Sequence, residues 1–197
     1  MKKLGFVFLM LAIALMLGGN ALAQGDNSVF FTNYYSYANT SGAPDSTVRV
    51  INDGDLGTGN SGNLWAAIYV FDDSQELQDC CACQITPDGL LSESVNTQLT
   101  AYAITGKKPT RGVIKVISSS SWDPTAPAPV AGLRAWGTHI QPVGTSAKTA
   151  TGFAITETRF ADSNLGAAEL NLLGQLCYFD SLLSGLPCTC TPEDHDF

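Results

Sequence analysis

Histidine is scarce in this sequence, which has only His139 and His195 among its 197 residues. Acyl-transfer catalysis of the Ser-His-Asp or Cys-His kind needs a histidine base. His195 lies in a polar terminal stretch, so such chemistry would depend on His139 alone. No G-x-S-x-G motif accompanies it, and no pair of acidic residues stands out as a glycosidase acid and nucleophile. We therefore expect a structural or binding protein without catalytic residues.

Basic residues and long apolar runs are also few. The chain has 10 Lys and Arg against 18 Asp and Glu, a net charge of −8. A strongly acidic protein is repelled by phosphate backbones and anionic lipid surfaces, which argues against nucleic-acid binding. After residue 24 the longest apolar run, Leu64 to Phe71, is far shorter than the roughly 20 residues that span a bilayer. We expect no nucleic-acid partner and no membrane span in the mature chain.

The first 23 residues have the three parts of a cleavable secretion signal. Lys2 and Lys3 form a positive start, and an apolar segment follows from Leu4 to about Leu17. Ala21-Leu22-Ala23 then supplies the small residues of a cleavage site between Ala23 and Gln24. This pattern predicts a protein that is secreted, periplasmic or on the cell surface. The mature chain is expected to form one disulfide-stabilised domain over residues 24–190, followed by a disordered acidic tail over residues 191–197.

Six cysteines form two groups in the sequence, Cys80, Cys81 and Cys83 and then Cys177, Cys188 and Cys190. An even number of cysteines in an exported chain indicates disulfides, because the compartment is oxidising. Six cysteines allow 15 complete pairings. The simplest of them joins the first group to the second, since a bond between adjacent cysteines would strain the intervening peptide.

A metal site is the alternative interpretation of the same cysteines. Thiolates favour Zn²⁺ or Cu(I). The candidate ligands are Cys80, Cys81, Cys83, Cys188 and Cys190. The C-x₂-C spacing that is usual for zinc is missing from both groups. Disulfides are therefore the favoured interpretation, and no cofactor is expected.

Short β-type runs separated by turn residues dominate the first 160 residues. Pro87-Asp88-Gly89 is typical of a tight turn, because proline presets φ and glycine closes the turn. Strands at short intervals with little helix between them predict a mainly β fold that resembles a β-sandwich. The expected strands are Ser28–Tyr37, Thr47–Ile51, Leu64–Phe71, Ala101–Ile104, Gly112–Ile117, Leu133–Ile140 and Gly152–Phe160.

Two helical segments are expected within this β pattern. Asp73 and Glu76 have capping-box spacing, which predicts a short helix over Ser74 to Asp79. Near the end of the chain, apolar residues recur at steps of three and four, which predicts one amphipathic helix stapled to the sheets by disulfides. Cys177 is expected to point toward the body of the domain. The apolar face of this helix is predicted to comprise Leu165, Ala168, Leu172, Leu176, Phe179 and Leu183.

A segment rich in proline, serine and alanine, Ser118 to Ala131, is expected to form a long surface loop. Trp122 within it is expected to anchor the loop on the domain, with exposure for contact as the alternative. Asn52-Asp53-Gly54-Asp55, followed by Asn60 and Asn63, is an oxygen-rich stretch that could bind Ca²⁺. It lacks the ligand order of an EF-hand, and its composition is also that of an ordinary turn.

The cysteine pattern and its surroundings resemble a group of uncharacterised secreted bacterial proteins. The resemblance is carried by Leu64 to Leu91, where a C-C-x-C cluster follows an apolar strand, and by Ala168 to Cys190, which closes with C-x-C. It implies secretion and disulfides, and it implies no particular activity. The expected partner is an unidentified protein or cell-surface component.

Overall fold

The computed structural model describes residues 28–54, 62–101, 103, 106–144, 152–183, 188 and 190. The predicted signal segment and its cleavage point between Ala23 and Gln24 lie outside these residues, as does the tail over 191–197. The elements in chain order are β1 (Phe30–Ser36), β2 (Thr47–Asn52), β3 (Leu64–Asp72), β4 (Leu77–Ile85), β5 (Leu90–Ser94), a π-helical turn (Val95–Leu99), β6 (Arg111–Ser119), β7 (Leu133–Val143), β8 (Gly152–Arg159), β9 (Ala161–Asp162) and helix α1 (Ala167–Leu183).

The strands form two antiparallel sheets. The first has the order β4-β3-β6-β1-β9, and the second has the order β5-β2-β7-β8. β3 lies inside the first sheet and is covered on both faces, which explains its apolar sequence. The prediction of a mainly β, sandwich-like fold with one C-terminal helix joined to it by a disulfide is confirmed.

Two layers of apolar side chains hold the fold together. One layer lies between the sheets, where Phe31, Ile68 and Val116 of the first sheet pack with Val50 and Ala135 of the second. The other layer lies on the opposite face of the first sheet, beneath α1. Its members include Phe30, Tyr69, Phe71, Leu173 and Cys177. The described residues thus stack as helix, sheet and sheet.

The strand periodicity of β4 explains how the cysteines pair. Successive side chains of a strand point to opposite faces. Cys80 therefore faces the helix layer and bonds Cys177 of α1, whereas Cys81 and Cys83 face the core between the sheets. Cys81 bonds Cys188 and Cys83 bonds Cys190, with Cα atoms 5.3 and 5.5 Å apart. The prediction that disulfides join the two groups of cysteines is confirmed.

The short helix predicted over Ser74 to Asp79 was wrong. The chain turns after Asp72, whose Oδ1 accepts hydrogen bonds from the backbone N–H groups of Ser74 (2.8 Å) and Glu76 (3.0 Å). β4 then begins at Leu77 and pairs with β3. Asp73 and Glu76, whose spacing resembled a helix cap, lie in the hairpin turn between β3 and β4. Of the strand predicted over Ala101–Ile104, residues 102 and 104 lie outside the described residues, while Ala101 lies in a turn and Ala103 in no strand.

The predicted apolar face of α1 was correct for Leu165 and Leu176, which pack against the layer beneath the helix, and wrong for the other residues named. Leu172, Phe179 and Leu183 are exposed, at 48%, 58% and 74% of their surface. The buried residues of the helix are Leu173, Gly174, Cys177 and Asp180. The orientation of Cys177 toward the sheets is confirmed, and its bond to Cys80 sets the rotation of the helix. No helix among the described residues is long and apolar enough to cross a membrane.

Candidate functional site

The loop between β6 and β7, residues 120–132, is held in one shape by its own polar side chains. Asp123 Oδ1 accepts hydrogen bonds from the backbone N–H of Thr125 (2.8 Å) and from its hydroxyl (2.7 Å). The hydroxyl of Ser119 accepts from the backbone N–H groups of Ser121 and Ala128. The Ser120 N–H also donates to the Ala128 carbonyl. These bonds explain how a segment rich in proline and serine adopts one ordered conformation.

A buried tyrosine ties this loop to the first sheet. Tyr69 of β3 is fully buried, and its hydroxyl donates a 2.7 Å hydrogen bond to the carbonyl of Pro124. Burial, with a smaller contribution from Asp123, raises the pKa of the Tyr69 hydroxyl well above its usual value. The phenol therefore stays protonated as the donor of this bond over the physiological pH range.

Helix α1 forms the second wall and is fixed at three points. Lys115 Nζ of β6 lies 2.6 Å from Glu169 Oε1 in the first turn of the helix. The disulfide from Cys177 to Cys80 holds its middle to β4. At Gly174, an added Cβ would lie 2.3 Å from the Thr125 carbonyl oxygen, so glycine allows the helix to contact the loop directly.

An open groove of about 670 Å³ runs between the two walls. Tyr178 and Phe179 are about half exposed beside it, at 53% and 58%. None of its lining residues carries a charge, although the chain has a net charge of −8. The groove is lined by Thr125, Ala126, Pro127, Leu170, Asn171, Gly174, Gln175, Tyr178 and Phe179.

The prediction that Trp122 anchors the loop was wrong. Its side chain is 69% exposed, because Tyr69, Asp123 and Gly174 fix the loop without it. The loop thus carries an exposed tryptophan three residues before Thr125 of the groove. Sequence reasoning placed Phe179 on the packed face of α1 and so missed this surface. The helix sequence has more apolar residues than one helix face can bury, and this excess could have predicted an exposed apolar surface.

His139, the one candidate for catalytic chemistry, lies on β7 and is 3% exposed. Its Nε2 is 2.6 Å from the Thr158 hydroxyl, and its ring stacks on Tyr34 with centroids 4.0 Å apart. Burial lowers the pKa of His139 below its usual value. The structure brings no carboxylate, serine or cysteine into contact with this ring in any described interaction. His139 thus packs one sheet against the other.

The cysteines considered as metal ligands are brought together by the fold. The sulfur atoms of Cys81, Cys83 and Cys190 lie within 4.8 Å of one another. Every cysteine sulfur is nevertheless engaged in a disulfide, since Cys80, Cys81 and Cys83 bond Cys177, Cys188 and Cys190 in that order. A thiolate site at this point requires that at least two of these bridges be reduced.

The oxygen-rich stretch considered for Ca²⁺ is described only in part, because residues 55–61 lie outside the described residues. Asn52 is buried, and its amide nitrogen donates to the carbonyls of Gly62 (2.7 Å) and Ile85 (3.1 Å). Asp53 Oδ2 lies 2.9 Å from Arg134 Nη2. Both side chains therefore support the turn rather than point into an open cation site.

Comparisons with protein-family models, with curated proteins and with solved structures find no match for this chain.

Proposed function

We propose that this protein is an extracytoplasmic binding domain without catalytic activity, formed by residues 24–190 after signal removal. We further propose that it belongs with the secreted bacterial proteins that it resembles in its cysteine pattern. The groove between the loop over 120–132 and α1 is its binding surface. The observation that carries this proposal is an uncharged groove between two fixed walls, with Tyr178 and Phe179 exposed on the helix wall, within a strongly acidic chain.

The occupant that fits this groove is an uncharged, apolar segment of another protein. Apolar side chains predominate in the lining, and the amides of Asn171 and Gln175 can donate to and accept from a peptide backbone. Exposed tryptophan and tyrosine are the residue types that contribute most to protein interfaces. Trp122 and Tyr178 are both of these types and both are exposed. A charged segment would have to be desolvated against an apolar wall that offers it no ion pair.

The two walls are held in place before any partner binds. This favours the groove as a binding surface over its being a gap left by imperfect packing. A loop that must be ordered on binding subtracts its conformational entropy from the affinity. Here the loop is already held by Tyr69, Asp123 and Ser119, and the helix by its disulfide. A partner therefore loses little binding free energy to ordering of the site, and its contacts contribute directly to affinity.

A displayed library of random peptides, selected against the immobilised mature domain, tests the proposal. We expect enriched peptides to be apolar and uncharged, and Tyr178→Ala, at a residue that lines the groove, to raise their Kd by about tenfold or more. Phe179→Ser should act similarly. Leu90→Ser, at a residue 52% exposed on β5 and away from the groove, is the matched control and should leave the Kd unchanged. Selected peptides that bind the Tyr178→Ala and Phe179→Ser variants as well as the parent would exclude the groove.

The extracytoplasmic part of the proposal has its own test. The intact mass of the exported protein, before and after reduction with thiol alkylation, locates the mature N-terminus and counts the disulfides. Each bridge lowers the mass by about 2 Da through loss of two hydrogens. A mass that begins at Gln24 with three bridges is expected. A mass that retains residues 1–23 would contradict removal of the signal.

A second candidate function, extracytoplasmic binding of Zn or Cu, rests on the close approach of the sulfurs of Cys81, Cys83 and Cys190. It predicts stoichiometric metal together with free thiols in protein purified without chelator. The mass measurement decides between the two, because three intact bridges leave no thiolate to bind a metal.

A further inference from the structure

Strand β8 is the most exposed of the long strands within the described residues. Residues 154–159 are exposed one after another, so neither face of the strand is covered there. The first sheet ends in β9, a strand of two residues, and does not extend over it. Among the described strands, β8 pairs only with β7. Its other edge is therefore the end of the second sheet.

The other edge strands of the two sheets are either short or held by disulfides. β4 is linked to Cys177, Cys188 and Cys190 by three disulfides. β5 has five residues, and β9 has two. β8 has eight residues, includes no proline or lysine, and contains the exposed Ile155. Natural proteins usually protect a long edge with such residues or with a covering segment.

We propose that the free edge of β8 pairs with β8 of a second copy of this chain, antiparallel and around a two-fold axis at Ile155. An open strand edge presents rows of N–H and C=O groups that are not paired within the sheet, and another extended strand can pair with all of them at once. The inference concerns a different surface from the proposed groove and is independent of it.

Self-pairing is favoured by the sequence of β8 in this register. With the axis at Ile155, this residue lies opposite its own copy and buries a side chain that is 56% exposed. Ala154 then faces Thr156, and Phe153 faces Glu157, so like charges do not meet. Cross-strand pairs of apolar side chains stabilise such a ladder. An axis at Glu157 would instead place two carboxylates opposite each other, which is unfavourable.

Cysteine substitutions in the full mature chain test both the partner and the register. In this register two copies of Ile155→Cys come within disulfide distance, so mild oxidation of the purified, folded variant should give a covalent dimer. Thr156→Cys is the matched control. Its neighbour across the axis is Ala154, and it should remain mainly monomeric under the same conditions. The proposed pairing is wrong if Ile155→Cys does not cross-link, or if Thr156→Cys cross-links as readily.

Sedimentation velocity of the unmodified mature protein tests the same interface without new thiols. We expect reversible dimers at high protein concentration, because a single strand edge forms a small interface. Ile155→Lys places two ammonium groups opposite each other and should weaken the dimer by about tenfold or more. Leu183→Lys, at an exposed position on α1, should leave the dimer unchanged. A wild type that stays monomeric at about 1 mM, or equal effects of the two lysines, would overturn the proposal.

The same variants separate this inference from the proposed function. Ile155→Lys should abolish dimers and leave the binding of groove-selected peptides unchanged. Its near-ultraviolet circular dichroism and disulfide count confirm that the variant is folded. If β8 binds a strand of a different protein rather than its own copy, the unmodified chain stays monomeric and Ile155→Cys does not cross-link, which counts against the proposal as stated.

Discussion

Gly174 of α1 contacts the carbonyl oxygen of Thr125 so closely that a β-carbon at this position would lie 2.3 Å from it. This contact joins the two walls of the groove. Glycine inside a helix is unfavourable by about 1 kcal/mol relative to alanine, so its presence here reflects the approach of the loop. The groove thus depends on a backbone contact that no other residue type allows.

Gly174→Ala should therefore lower the free energy of unfolding by up to about 2 kcal/mol. The steric cost of overpacking, about 1–3 kcal/mol, exceeds the gain of about 1 kcal/mol in helix propensity. Chemical denaturation followed by circular dichroism measures the change. Gly166→Ala is the control, because an added Cβ there meets nothing within 4 Å. Equal stability of the two variants would show that the contact is not formed.

Tyr69→Phe should loosen the loop over 120–132 while leaving the sheets intact. The substitution removes the hydrogen bond to the Pro124 carbonyl, whose net contribution is about 1 kcal/mol. Hydrogen exchange of the loop amides should become faster in this variant than in the parent. Tyr178→Phe, at a tyrosine that is 53% exposed, should change neither stability nor exchange. Unchanged loop exchange in Tyr69→Phe would contradict the anchoring role.

The double substitution Cys80→Ala with Cys177→Ala should lower the free energy of unfolding by about 2–5 kcal/mol. The bridge closes a loop between residues 97 apart and also sets the rotation of α1. We expect faster amide exchange in the helix and weaker binding of groove-selected peptides. Cys83→Ala with Cys190→Ala removes a bridge outside the helix and is the comparison. It should reduce stability similarly without affecting the helix amides.

The stability of the protein should fall as the pH is lowered through the usual pKa of histidine. Burial lowers the pKa of His139 in the folded state, so the unfolded chain takes up a proton first. Stability therefore increases with pH between the folded pKa of His139 and about 6.5, its unfolded value. Below the folded pKa this dependence ends, because both states are then protonated.

Thermal unfolding between about pH 5 and pH 7 measures this dependence. In His139→Gln the slope of melting temperature against pH should be shallower than in the parent over this window. The carboxylates add a similar slope to both proteins and cancel in the comparison. Identical slopes would show that His139 is not the group that titrates.

The sandwich could be predicted from sequence wherever a strand has an apolar or alternating pattern and a turn after it. β3, β6 and β7 are of this kind. β4 was missed, because its sequence from Leu77 to Ile85 is polar and cysteine-rich. It is buried by the disulfides and by α1, and these are long-range contacts that local patterns do not contain.

The candidate site was less predictable than the fold. Paired leucines at 172 and 173 and again at 182 and 183 fit more than one helix face, so periodicity alone could not decide the rotation of α1. The rotation is decided by Cys177, whose partner lies 97 residues away. The exposure of Trp122 likewise depends on polar bonds within its loop that composition does not reveal.

The position of the cysteines along the chain also determines the order in which the protein matures. All three bridges join β4 to Cys177, Cys188 or Cys190, at separations of 97, 107 and 107 residues. Because the chain is made from its amino end, Cys80, Cys81 and Cys83 are present before any of their native partners. Until Cys177 has been made, they can form only non-native disulfides with one another. Native oxidation begins when Cys177 arrives and is completed by Cys190. A chain interrupted before α1 therefore cannot form any of the three native bridges, so complete oxidation reports that the chain has been made to its C-terminal cysteines.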